Sequence, residues 1–234
     1  LYEQVFSGRS RVLGPDHRST LTARDELAGA YWEAGRLDEA ITLKKQILAD
    51  AVRIMGPGSS GASAARLNLA DAYRDAGRLD EAIPLFEQNL NDVTRTLGPH
   101  HPEVLASRHS LAGAYRDAGR LDEAIALYQQ NLTDFTRLVG PDHPHTLSSR
   151  STLASTYRDA DRLDEAISLF EQDLEDRTRI LGLDHPRTLA SRHSLAGAYR
   201  DAGRLDEAIP LFEQNLADFI RILGPDRPDT FTSR

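Results

Sequence analysis

Apolar and polar positions along this chain recur with a helical rhythm. In EVLASRHSLAGAYRDA (Glu103–Ala118), Val104, Leu105, Leu111, Ala112 and Tyr115 fall on one broad face at the spacing of an amphipathic helix. In LDEAIALYQQNLTDFTRLV (Leu121–Val139), Leu121, Ala124, Ile125, Tyr128, Leu132, Phe135 and Leu138 return at intervals of three and four. The boundaries carry their own signals. Pro102 suits a first helical turn, where its missing N–H costs nothing, and the His or Asp before it supplies the cap. Gly119 provides the left-handed residue that ends the first helix, and Asp161 takes that place further on. Asp122 and Glu123 open the second helix where its dipole favours negative charge, and Arg137 stands near its end where positive charge is favoured. Pro84 and Pro210 fall early in their second helices, within the first turn or so. No strand pattern appears. The prediction is an all-α chain built from pairs of antiparallel helices.

The pairs are copies of one unit. YRDAGRLDEA occurs verbatim at Tyr73–Ala82, Tyr115–Ala124 and Tyr199–Ala208, with near-copies at Tyr31–Ala40 and Tyr157–Ala166. Gly14, Gly56, Gly98, Gly140, Gly182 and Gly224 stand 42 residues apart. A fixed period of that size predicts a solenoid, in which each unit buries its face only against its neighbours. The whole of 1–234 is read as a single array: a partial unit 1–14 (second helix only), full units 15–56, 57–98, 99–140, 141–182 and 183–224, and the start of a further unit at 225–234. In the second unit GPGSSGAS (Gly56–Ser63) replaces GPDHPxT, which predicts a local loosening or an insertion.

These residues resemble the tetratricopeptide repeat family over essentially the whole chain. The family block of Leu, small residue and Tyr in the first helix, a Gly turn, then Ala and an aromatic is matched by Leu111, Ala112, Tyr115, Gly119, Ala124 and Tyr128. Leu69, Ala70, Tyr73, Gly77, Ala82 and Phe86 match it too, as do Leu195, Ala196, Tyr199, Gly203, Ala208 and Phe212. The common repeat has about 34 residues, and the longer unit here is similar to the variety found in kinesin light chains and in bacterial signalling proteins of the STAND/NB-ARC type. There are departures. Arg24, Arg66, Arg108, Arg150 and Arg192 stand where the family often has a bulky residue, and Asn89, Asn131, Asp173 and Asn215 where a small one is expected. The kinesin-like Asn survives only at Asn68, in RLNLA. The resemblance implies a right-handed superhelical α-solenoid whose concave groove binds an extended peptide or partner segment, as the sensor or scaffold part of a larger signalling protein.

Composition narrows the function. A formal charge of −8 argues against wholesale nucleic-acid binding, which needs a clustered basic excess. The absence of Cys removes disulfide frameworks, thiolate metal sites and cysteine nucleophiles, and agrees with a reducing, cytoplasmic setting. No apolar run approaches a membrane span. The chain opens at Leu1 and closes at Arg234 in mid-pattern, and is read as a fragment of something larger.

Candidate chemistry is sparse. The densest His groups, GPHHP (Gly98–Pro102) and HPH (His143–His145), lie in a loop that recurs in every unit, where turn and cap duty accounts for them better than metal ligation. His109/Ser110 and His193/Ser194 are helical neighbours pointing about 100° apart, which is no nucleophile–base dyad. The glycines follow the repeat and form no phosphate-binding loop. No enzyme activity, cofactor or metal is expected. Two Arg series remain. Arg24, Arg66, Arg108, Arg150 and Arg192 share the packing stripe, and are expected to bury their methylenes while pairing with a carboxylate. Arg74, Arg116, Arg158 and Arg200 follow the motif Tyr on the stripe that the family turns toward its groove, bordered by Asp75, Asp117, Asp159 and Asp201. Within the motif, Arg116 and Asp117 alone are left without a structural duty.

The candidate ligand-binding set is therefore Trp32, Asn68, Asp71, Arg74, His109, Arg116, Asp117, Arg158, Asp159, His193, Arg200 and Asp201. Trp32, the sole Trp, with Glu33 makes the first end of the groove aromatic and more acidic, and aromatic anchors are common in binding hot spots. Arg forks suit carboxylates, so the expected partner is a protein or peptide with acidic character. Structural self-association stays open beside this: uncapped terminal units stacking head-to-tail would make a non-closing contact.

Overall fold

The computed structural model describes residues 1–223; the expectations for Gly224 and for a further unit at 225–234 lie outside them. The described residues form eleven helices and no strand. They are α1 (Tyr2–Leu13), α2 (Arg18–Glu33), α3 (Leu37–Met55), α4 (Ser60–Asp75), α5 (Leu79–Leu97), α6 (Pro102–Asp117), α7 (Leu121–Val139), α8 (Pro144–Asp159), α9 (Leu163–Leu181), α10 (Pro186–Asp201) and α11 (Leu205–Leu223). Two compact units divide the chain after Ala118. In the first, consecutive helices pack together from α1 through to α6; in the second, they do so from α7 through to α11. This consecutive packing is the solenoid pattern that the period predicts.

Helix starts follow the sequence signals, with His as the capping residue. The ring nitrogens Nδ1 of His17, His101, His143 and His185 accept the backbone N–H two residues on, at 3.1–3.2 Å. In the second repeat, Ser59 does this work through its hydroxyl, accepting from Ala62 N–H at 3.2 Å. GPGSSGAS is therefore neither an insertion nor a frayed stretch but a loop of the same length with a different cap. The LG glycines adopt φ of 86–94° with ψ of 154–166°, a region essentially closed to other residues, which is why Gly marks the period so strictly. At the inner turn, Asp161 holds φ 57° where the other repeats use Gly. Pro84 and Pro210 sit at the sixth helical position, past the first turn, and their helices run on through them.

Helices meet over alanine. Ala28, Ala70, Ala112, Ala154 and Ala196 are fully buried, as are Ala40, Ala82, Ala124 and Ala166, with Leu, Ile, Phe and Tyr filling the space around them. Small side chains let two backbones approach closely, so a larger residue at these points would overpack the crossing. The packing-stripe Arg residues behave as expected. Arg24, Arg66, Arg150 and Arg192 are buried and pair with Asp50, Asp92, Asp176 and Asp218 on the second helix of their own repeat. Each of those acids also takes a second Arg one turn on, at Arg53, Arg95, Arg179 and Arg221. Hydrogen bonds from Arg221 and Arg192 hold the Asp218 carboxyl below the usual carboxylate range.

The motif residues link one repeat to the next. Tyr31, Tyr115 and Tyr199 donate their hydroxyls to Glu3, Glu87 and Glu171 on the helix before. Tyr157 instead accepts from Gln129 Nε2 at 2.6 Å. The Arg after the turn lies over the ring of the motif Tyr, at 4.2–4.8 Å for Arg36, Arg78, Arg162 and Arg204, and reaches forward to the Glu three residues on. That Glu therefore does more than answer a helix dipole: it fixes the Arg that covers the Tyr.

Candidate binding surface

On α4, Asn68, Asp71 and Asp75 lie on one stripe at helical spacing. They face Gly29, Trp32 and Glu33 at the end of α2, and Lys44 rises between from α3. Together these line a pocket of about 270 Å³ in the first unit. Three residues singled out from sequence, Trp32, Asn68 and Asp71, are thus brought together. The indole is half-buried, giving the pocket an apolar wall. Its charge is negative: Glu33, Asp71 and Asp75 against Lys44. Burial pushes the Asp71 carboxyl above its ordinary pKa, Asp75 adds to the rise, and Arg74 and Lys44 oppose it.

Arg74 stands beside the pocket between two acids, 3.7 Å from Asp71 and 3.3 Å from Asp117. Asp117 belongs to the next repeat, one position further along the unit than Arg74. The Arg–Asp dipeptide, the part of the motif left without a structural duty, thus joins neighbouring repeats. His109 on α6 lies near; partial burial, and then the charge of Arg74, lower its pKa. Arg116 is half-buried at the end of α6.

The second unit repeats the arrangement with the charges reversed. Arg158 reaches Asp201 of the next repeat at 3.7 Å, and Arg200 pairs with the same carboxylate at 2.9 Å. Gly197 makes room for this crossing: a Cβ there would lie 3.2 Å from Arg158 Nη1. His193 packs edge-on against Phe212 with ring centroids 5.4 Å apart. Partial burial, then Arg200 and Arg158, lower its pKa. Asp159 is exposed at the end of α8. Half-exposed ion pairs of this kind contribute about 0–1 kcal/mol each, so their recurrence has more bearing on surface charge than on stability.

Two features were not anticipated. Lys44 enters the first pocket from a second helix, which reading along first helices does not reveal. In the second unit, a pocket of about 260 Å³ is floored by Asp173 and Arg177 and walled by serines. Its signal was present as a departure from the repeat, because Arg177 stands where other units have Ala51, Val93, Phe135 and Phe219. Among the described residues no group of acids and histidines could hold a metal ion, and no helix is long and apolar enough to cross a membrane.

The sequence model of the tetratricopeptide repeat matches residues 1–51, 61–133, 109–175 and 151–217. No curated protein matches the chain. A crystal structure of a Podospora anserina putative kinesin light chain with nearly identical repeats of this type is 34% identical, covering 88% of this chain and 98% of its own, with a TM-score of 0.79. A single-substitution variant of that protein is also 34% identical over 86% and 95%, at a TM-score of 0.78. BtubC (BKLC) from P. vanneervenii shares the fold at 19% identity, over 95% of this chain and 92% of its own, with a TM-score of 0.73.

Proposed function

Since the chain belongs to the tetratricopeptide repeat family, whose members generally serve as scaffolds for protein–protein interaction, we propose that its first-helix face binds an extended segment of a partner protein without catalysis. The observation that carries this is the pocket uniting Trp32, Asn68 and Asp71. A half-buried indole beside a carboxamide and carboxylates offers what a partner chain needs: apolar area for a side chain and hydrogen bonds for its backbone. Arg158 and Arg200 share the single carboxylate of Asp201, which leaves positive charge for acidic residues of the partner. In this reading the chain is the sensing or scaffolding part of a larger cytoplasmic signalling protein, with neither nucleic acid nor membrane among its ligands.

The test is capture of partners from lysate by the purified chain, compared with Trp32→Ala, with Asn68→Ala, and with Arg158 and Arg200 both changed to Ala. Proteins lost with the Trp32 and Asn68 variants, while circular dichroism shows unchanged helix content, support the groove. A partner list identical for all four chains overturns it.

A further inference from the structure

The fourth repeat departs from its sister repeats around one pocket. Ser148 replaces the Ala of positions 64, 106 and 190; Ser151 replaces Leu67, His109 and His193; Asp173 replaces Asn89, Asn131 and Asn215. Arg177 replaces an apolar residue, as noted. The altered residues, with Ser191, Ser194 and Arg187 of α10, line the same cavity. Both members of the charged pair are buried, Asp173 at 1% exposure and Arg177 at 6%. Placing two charges there carries a desolvation cost that their attraction alone does not reliably recover. The second, third and fifth repeats fold with a neutral Asn and an apolar neighbour, and the first with Ile47 and Ala51, so folding does not require this pair.

Its hydrogen-bond account is incomplete. Arg177 donates Nε–H to Asp173 Oδ2 at 2.7 Å and an Nη2–H to Ser151 Oγ at 3.0 Å. A guanidinium carries five N–H groups, and no other acceptor meets them among the described residues. Asp173 Oδ2 also accepts from Ser191, while its Oδ1 has no partner there. Spare donors and a spare acceptor therefore stand together, ringed by serine hydroxyls that can act as either. The buried pair is neutral as a whole; the remaining charge is Arg187, exposed to solvent.

We propose that this pocket receives an amide group of the partner polypeptide, its C=O accepting from Arg177 and the serines and its N–H donating toward Asp173. A carboxylate would answer Arg177 but lie against Asp173, and an ammonium would answer Asp173 but lie against Arg177. An amide satisfies both at no net charge. Two sources present this chemistry: the side chain of Gln or Asn, and the backbone of an extended segment. The assignment rests on the partner-binding reading above and adds what this part of the face selects.

The test uses acetylated, amidated Ala-Ser-X-Ser-Ala peptides with X as Gln, Asn, Glu, Lys or Leu. They are titrated into the full chain while NMR follows the Arg177 Nε–Hε signal and the Ser194 backbone amide. A side-chain source predicts that Gln and Asn peptides bind about tenfold tighter than the other three. A backbone source predicts equal response to all five. In either case the Ser194 response disappears in Asp173→Asn/Arg177→Phe, a double change that restores the Asn–Phe pair of the third and fifth repeats and so keeps the fold, with circular dichroism as the check. A silent Arg177 signal with every peptide, tighter binding of Glu or Lys than of Gln, or an unchanged Ser194 response in the double variant overturns the proposal. A chain that still captures its partner through Trp32 while Arg177 stays silent keeps the groove reading and ends this one.

Discussion

Asn89 in the second repeat and Asp173 in the fourth occupy the same buried position, and they are satisfied in different ways. Asn89 closes a relay: its Oδ1 accepts from Ser63 Oγ at 2.9 Å, and its Nδ2 donates to Ser107 Oγ of the next repeat at 2.9 Å. Asp173 keeps the forward link to Ser191, but Leu147 stands where Ser63 would, and Arg177 supplies the missing charge. The first arrangement uses its polar groups inside the fold. The second keeps hydrogen-bonding capacity in reserve beside a cavity. One backbone thus carries two kinds of junction, one closed and one with polar groups to spare, and the difference lies in a few side chains.

The sharpest way to break that contrast is to remove one side of it. Arg177→Ala leaves Asp173 charged and unpaired in the interior, and is expected to cost about 3–5 kcal/mol. Asn89→Ala strands the hydroxyls of Ser63 and Ser107 and removes an acceptor from Arg66 Nη1, and is expected to cost about 1–3 kcal/mol, because Arg66 keeps its other partners. Urea unfolding of the two variants side by side measures the order; equal losses would show that the fourth-repeat pair is no more demanding than the neutral relay. Arg177→Phe with Asp173→Asn is expected to return stability to near the parent value, since a well-packed apolar replacement of a buried pair is often neutral or better.

A second contrast sharpens at high pH. The motif Tyr of the second repeat, Tyr73, has Lys45 Nζ 5.5 Å from its ring centroid, whereas Tyr199 donates to Glu171. Burial, then the hydrogen bond to Glu171, push the Tyr199 pKa up to about 12. A folded pKa raised above the unfolded value near 10 means that the contact stabilises fully below about pH 10 and is lost as pH rises toward about 12. Tyr199→Phe is therefore expected to cost about 1 kcal/mol near neutrality, with the deficit shrinking across that window. Tyrosinate absorbance tracks the ionisation, and an unfolding deficit that does not change with pH would rule out a raised Tyr199 pKa; Glu171→Gln, which keeps the burial, isolates the share of the Glu171 bond.

How much of this was legible in the sequence depended on whether a residue acts along its own helix. Helix limits, capping His residues and the glycine turns are readable because spacing of three or four and local signals determine them; for the Arg24-type residues the need for a carboxylate is readable, but not which one, since the partner lies 26 residues on along another helix. The pairings from Tyr115 to Glu87 and from Arg74 to Asp117 were not, because they span repeats, where the offset depends on how one helix pair is set against the next. Asp117 has its duty only when neighbouring copies of the motif are set side by side, since its partner Arg74 belongs to the repeat before. Trp32, Asn68 and Asp71, which line one pocket, are readable as first-helix positions, whereas Lys44 and Arg177 are not, because both come from second helices. The clue to Arg177 was available in principle: comparing the five copies position by position isolates it as a buried-face residue of the wrong polarity.

The smallest effect concerns the loops. Arg179 clamps Asp142 of the preceding loop at 3.0 Å, and Arg53 and Arg221 hold Asp16 and Asp184 in the same way. In the second repeat Gly58 stands where that Asp would be, so Arg95 keeps the pair with Asp92 on its own helix but lacks the loop clamp. The Arg95 side chain is 75% exposed, against 55% for Arg179 and Arg221. A Cβ at Gly58 would meet only Thr96 Oγ1 at 3.8 Å, an ordinary contact, so Gly58→Asp fits without strain. It is expected to restore the clamp and add up to about 1 kcal/mol, an amount that salt screens because both partners are exposed. Removing a Gly from the unfolded chain adds stability of its own, about 0.4–1 kcal/mol, and that part is insensitive to salt. Unfolding of Gly58→Asp and Gly58→Ala at low and high ionic strength separates the two. A gain shared equally by both variants at every salt concentration would mean that chain entropy alone is at work and that the loop acid of the other repeats has no clamping role.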